Sequence, residues 1–130
     1  MVMKQKIATS GLGKPIPLQE VDILREVDNS RDWSSASVFV LGGIRKSADG
    51  KFRFQIRKVS HVDGDLGKEL RNYVGKFSGF RFKFFRSTRN AYDKECQIYH
   101  QFKPIKNIAH PIRPRHTKFV CPVADCNESD

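Results

Sequence analysis

Glu95, Cys96 and His100 fall together in one stretch, and Cys121 and Cys126 follow in a loop that contains Pro122. Cys96 and His100 are four positions apart, so on a helix they project from one face about a turn apart. Cys121 and Cys126 have four residues between them, within the Cys-x₂₋₄-Cys spacing of tetrahedral zinc sites. Cys96, His100, Cys121 and Cys126 thus make a full ligand set for a closed, structural zinc, with His110 or His116 as replacement for His100. Four protein ligands leave no open position for catalysis. They would instead pin a tail that has little apolar content to bury, because metal binding supplies folding energy. The plainer alternative is a buried Cys96 and two tail thiols with no ligand role. Nothing in the sequence supports a nucleophilic Cys96–His100 pair.

The carboxylate beside Cys96 is informative by its position. Ala91, Tyr92, Ile98, Tyr99 and Phe102 form the inward stripe of a helix, and Glu95 sits in the middle of it. Moving a carboxylate off water is costly unless it meets a metal, a cation or hydrogen-bond donors. Glu95 is therefore either a site residue or the partner of a strand arginine such as Arg57.

The elements that must position these groups read clearly in the second quarter of the chain. Ser37 to Leu41 is an apolar run closed by Gly42-Gly43, too short for a helix, and reads as a buried strand. Ser47-Ala48-Asp49-Gly50 is a turn, after which Phe52, Phe54 and Ile56 alternate with Arg53, Gln55 and Arg57. The two strands make a hairpin. Asp63-Gly64-Asp65 offers caps for a helix with Leu66, Leu70, Tyr73 and Val74 as its stripe. Phe80, Phe82 and Phe84 mark a third strand. Ser87 or Thr88 then caps the helix that carries Glu95, which ends before Pro104. Upstream, residues 1–17 read as a leader with little structure, Pro17 as the opening of a short helix over about 18–28, and Trp33 as an anchor. The expectation is an α+β fold: a small three-stranded antiparallel sheet flanked by helices (34–107), with an N-terminal extension (1–33) and an irregular tail (108–130).

The chain has 130 residues, 38% hydrophobic and 11% aromatic, enough for one domain with its own core. No apolar run approaches the roughly 18 residues of a membrane span, and no stretch reads as a signal peptide. Three cysteines argue against a secreted disulfide framework, so a soluble, cytoplasmic protein is expected. Net charge is +10, and all of it lies beyond residue 32, since the first 32 residues balance five basic against five acidic side chains. A basic body of this kind suits a polyanion, most often DNA or RNA. Arg53, Arg57, Lys58, Arg81 and Lys83 on the strands, with Arg113 and Arg115 in the tail, are the candidate phosphate contacts.

The element order and the place of Glu95 resemble the GIY-YIG nuclease domain. More specifically, Ala91, Glu95-Cys96, His100, Asn107, His110-Pro111, Cys121-Pro122 and Cys126 look like the signature of a small group of GIY-YIG-like proteins. The likeness covers roughly residues 37–126. It implies a Glu that holds a divalent metal such as magnesium, tyrosines from the two name motifs, and an Arg on the first helix, together hydrolysing a phosphodiester. Carried onto this chain, Glu95 matches the metal-binding Glu and Asn107 the family's Asn. The Arg falls among Lys68, Glu69 and Arg71. The first name motif falls on Ser37-Val38-Phe39 and the second near Ile56-Arg57-Lys58, so both tyrosines are missing. His61 and Tyr73 are the candidates to replace their hydroxyls. The leading expectation is a nucleic-acid-binding protein with a degenerate or weak nuclease site. An active magnesium-dependent endonuclease and a zinc-stabilised protein- or nucleotide-interaction module are the alternatives.

Overall fold

The computed structural model describes residues 11–30, 32, 35–107, 109–114, 116–123 and 126. The expected Trp33 anchor and the Arg115 phosphate contact lie outside them. The described chain is α+β, with β1 (Ile16–Pro17), α1 (Glu20–Ile23) continued by a π-helical turn (Leu24–Asp28), β2 (Ser37–Lys46), β3 (Phe52–Val62), α2 (Leu66–Arg71), β4 (Gly79–Phe84) and α3 (Thr88–Phe102).

The sheet has four strands in the order β1-β4-β2-β3, all antiparallel, where the sequence suggested three. The extra strand is short: Ile16 and Pro17 pair with Phe80 and Gly79. Proline fits there because an edge strand can spare one N–H. Residues 11–17 of the leader are therefore not peripheral. Leu12 is fully buried among Val38, Val40 and Ala91, and Arg81 donates to the carbonyls of Leu12 and Gly13 at 3.1 and 2.8 Å.

β2 is central and apolar on both faces, the reason its run Val38–Leu41 does not alternate. Phe39 and Leu41 join Phe80, Leu66, Leu70, Ile23 and Val27 in a core beneath α1 and α2. Val38 and Val40 join Val59, Ala91 and Ile98 in a second core beneath α3. The caps are as the sequence suggests: Asp65 accepts from Lys68 N–H and Ser87 from Asn90 N–H. α2 stops at Arg71, and Val74 is exposed rather than part of its stripe.

One irregularity decides which side chains reach α3. Leu41 pairs with Lys58 but Gly42 pairs with Ile56, so Arg57 is an extra residue, a β-bulge. Unbroken alternation from Phe54 and Ile56 would turn His61 away from α3. The bulge flips the register, so that Phe54, Ile56, Val59 and His61 all face it. Gly42 permits this close approach, since a Cβ there would lie 1.8 Å from the Gln55 carbonyl oxygen.

Candidate functional site

Two groups meet along the outer flank of α3. The first is a buried acid–imidazole pair. Glu95, only 4% exposed, projects from α3 toward β3, and His61 Nδ1 hydrogen-bonds its Oε1. The Tyr92 ring stands edge-on to the imidazole, and Asp63 lies 3.8 Å from His61 Nε2. Burial pushes the Glu95 carboxyl above its ordinary range, against the pull of His61. Burial also opposes the His61 imidazolium, but the Glu95 hydrogen bond and charge outweigh it and raise the imidazole. The pair therefore holds a proton tightly.

The pair opens onto a cleft of about 360 Å³ bordered by Lys58, Lys106, Asn107 and His110. Its outer wall is fixed by Asn107, which accepts from Val59 N–H at 2.7 Å and donates to Val59 carbonyl at 3.0 Å. Lys106 N–H adds a bond to the Arg57 carbonyl at 2.7 Å. Together they satisfy part of the outer edge of β3.

The second group is a metal-donor set. One ligand atom each from His100, His110, Cys121 and Cys126 lies within 4.8 Å of all the others, so the group could hold a metal ion. With the usual Zn–N and Zn–S bond lengths a tetrahedron has edges of about 3.3–3.8 Å, a small contraction from this arrangement. Two details suit a ligand set. His110 Nδ1 lies 2.9 Å from the Pro111 carbonyl, to which it donates, leaving Nε2 as a lone pair 3.4 Å from Cys126 Sγ. His100 Nε2 is buried without a hydrogen-bond partner among the described residues, an arrangement a metal would satisfy. All three cysteines are free thiols.

The set differs from the sequence reading in one member. Cys96 is fully buried beside Tyr92 and Cys121 but lies outside the donor group, and His110 takes its place. Helical spacing puts Cys96 and His100 on neighbouring faces, yet Cys96 turns toward the core, where burial pushes its thiol pKa up. The sequence signal for His110 was its candidacy as a substitute ligand. It joins His100 rather than replacing it.

The remaining candidates divide. Arg71 and Tyr73 lie on the opposite face of the sheet from Glu95. Arg71 forks onto Glu20 at 2.8 Å and reaches Asp28 at 2.5 Å, tying α2 to the α1 region. Tyr73 packs against Phe39 and Phe77 in the core beneath α1 and α2. Neither reaches His61 or Glu95.

The basic residues do not form a single face either. Arg81 and Lys83 share the α3 side with Val40 and Val38, while Arg53, opposite Arg45, projects to the other side. Arg81 is committed to the leader carbonyls and lies 6.0 Å over the Phe54 ring, and burial lowers its pKa. Lys83 is exposed, 5.6 Å over Phe85. Arg57 and Lys58 flank the bulge, each bordering a cleft, and Arg113 is exposed on the tail.

Magnesium finds a poor fit beside Glu95. It prefers several oxygen ligands, whereas among the described residues Glu95 is the one carboxylate bordering the cleft, and the Asn107 amide oxygen is committed to Val59. No protein-family model matches the chain, and no curated protein or solved structure matches it either. No described helix is long and apolar enough to cross a membrane.

Proposed function

We propose that the protein is a nucleic-acid-binding module of GIY-YIG type, with a degenerate nuclease site and a tail knit to the core by structural zinc. The observation that carries binding is the end of the β2–β3 hairpin. Arg45 and Arg53 are directly opposed across the ladder and both exposed, with Lys46 and Lys51 beside them. Like charges directly opposite destabilise a ladder. No described carboxylate forms an ion pair with any of the four. Asp49, the acid of the turn, accepts from the Ser47 hydroxyl and Lys51 N–H, and its charge acts on Arg53 without an ion pair, so one carboxylate offsets part of the four cations. A phosphodiester backbone would relieve this repulsion through contacts that read no sequence and weaken with salt.

The kinship is supported by the order strand, strand, helix, strand, helix, and by the inward Glu on the last helix. Degeneracy is supported by three features: both motif tyrosines are absent, Glu95 is locked to His61, and Arg71 is spent on Glu20 and Asp28. Zinc is supported by the two-Cys, two-His donor set, whose four ligands leave no open position.

The test incubates zinc-loaded protein with labelled single- and double-stranded DNA and RNA at low salt, with and without magnesium. Glu95→Ala and an Arg45→Ala/Arg53→Ala double variant run alongside. Retarded, intact substrate, weakened in the double variant and unchanged in Glu95→Ala, is the expected result. Magnesium-dependent cleavage lost in Glu95→Ala would overturn degeneracy, and absence of retardation would overturn binding.

A further inference from the structure

A second cleft, of about 330 Å³, lies where β4 begins at Gly79 and β2 runs on toward the hairpin. It is floored by Gly42 and Gly43, walled by Phe77 and Ser78, and ringed by Arg57, Lys76 and Lys106. The three cations come from separate parts of the chain: the β3 bulge, the loop before β4, and the turn after α3. No described carboxylate borders the cleft, and none of the three forms an ion pair with one. Cations gathered around one recess repel one another, and an anion bound between them relieves that repulsion.

The floor supplies an independent argument. Gly43 lies inside a strand, where glycine is costly, yet neither packing nor backbone conformation requires it. Its φ is not positive, and a Cβ there would meet only Ser78 Oγ, at 3.9 Å. Gly42 differs, since the bulge needs it. Next to the bulge at Gly42, this second glycine leaves the floor of the recess open to close approach by a ligand. The Ser78 hydroxyl, 3.1 Å from Ile44 N and 3.4 Å from the Gly42 carbonyl, replaces the missing ladder partner and closes that end of the recess.

We propose that this cleft binds a phosphate group, with Arg57, Lys76 and Lys106 as its cationic ring and Gly43 as the cleared floor. The inference deepens the nucleic-acid reading by naming a discrete phosphate subsite apart from the hairpin tip. Free phosphate, a mononucleotide and a strand's backbone all present this chemistry, and the experiment separates them.

Amide NMR shifts are followed on titration with inorganic phosphate, then a 5′-mononucleotide, then a short single-stranded oligonucleotide. Wild-type protein, Lys76→Ala/Lys106→Ala and Gly43→Val are compared. Both lysines are exposed, and valine suits a strand, so the variants should keep the fold. Thermal unfolding checks that they do. The expected result is saturable shifts at Gly43, Phe77 and Ser78 with phosphate, at least tenfold weaker in both variants. Tighter binding by the mononucleotide or the oligonucleotide identifies the source of the phosphate. Phosphate shifts with no oligonucleotide binding would uphold the cleft and overturn the hairpin reading. Absence of phosphate shifts at Gly43, Phe77 and Ser78 while the oligonucleotide shifts residues 45–53, or phosphate binding unchanged in Gly43→Val, would overturn the cleft and leave the hairpin reading standing.

Discussion

The two faces of the sheet are held by different physics. Beneath α1 and α2 the core is mainly hydrocarbon: Phe39, Leu41, Phe80, Leu66 and Leu70 interlock, Arg71 pairs with Glu20 and Asp28 near the surface, and the buried Asp22 carboxylate is held by Arg25 at 2.7 Å. On the α3 side the valines of β2 and β3 cover only part of the helix. Beyond them a buried carboxylate, an imidazole and a cluster of thiol and imidazole donors occupy space that aliphatic side chains would otherwise fill. The first face rests mainly on buried apolar area. The second buries groups that cost free energy unless paired or metal-bound. The α3 side thus depends on pairing of its buried polar groups far more than the α1–α2 side does.

Removing the metal should break this contrast most sharply. Chelation, or Cys121→Ser, should release the tail, expose it to protease and lower Tm by about 10 °C or more, since each kcal/mol is worth about 3–5 °C at this size. Native mass spectrometry should find one zinc per chain, lost in His110→Ala. Tail stability indifferent to chelation would remove the distinction between the faces.

Phe39→Ala probes the other side. It should cost about 3–5 kcal/mol by denaturant unfolding and leave the zinc stoichiometry unchanged. Gly42→Ala comes next, because it forces the Gln55 carbonyl aside. It should cost about 1–3 kcal/mol, and the His61 ring resonances should shift as the register that aims His61 at Glu95 is disturbed.

A smaller effect depends on pH. The folded His61 imidazole titrates above its ordinary 6.5, so it contributes stability that is fully present below that pH and is lost as pH rises through the folded value. Glu95, also raised, acts in the same sense from its ordinary 4.5 upward. Wild-type stability should therefore decline from mildly acidic toward alkaline pH, with a shallower slope in His61→Gln. A rise in stability over that window would contradict the pair. Smallest of all, Arg71→Ala should cost about 1 kcal/mol, as expected of partly exposed ion pairs, and should leave nucleic-acid binding unaffected.

How legible each region was in the sequence follows the same division. Strands, caps and the double-sided burial of β2 follow from periodicity, because hydrocarbon packing writes itself as spacing: Phe80, Phe82 and Phe84 alternate, and Val38–Leu41 does not. The bulge escaped because it depends on a backbone approach at Gly42, invisible to the alternation of β3 itself. β1 escaped because two residues carry no period. On the polar side, Glu95 was legible as a carboxylate within an apolar stripe, whereas its partner His61 required the bulge. Three of the four donors were legible: Cys121, Cys126 and His100 have recognisable spacing, while His110 joins the group only through the fold, with its Nδ1 on the Pro111 carbonyl.

The most direct measurement is the affinity of zinc-loaded protein for a labelled single-stranded oligonucleotide as a function of salt, for wild type and Arg45→Ala/Arg53→Ala. The account expects log K to fall linearly with log salt, with the slope shallower by about 1.4 in the double variant, because each lost phosphate contact removes about 0.7. Binding insensitive to salt, or equal slopes for the two proteins, would contradict it.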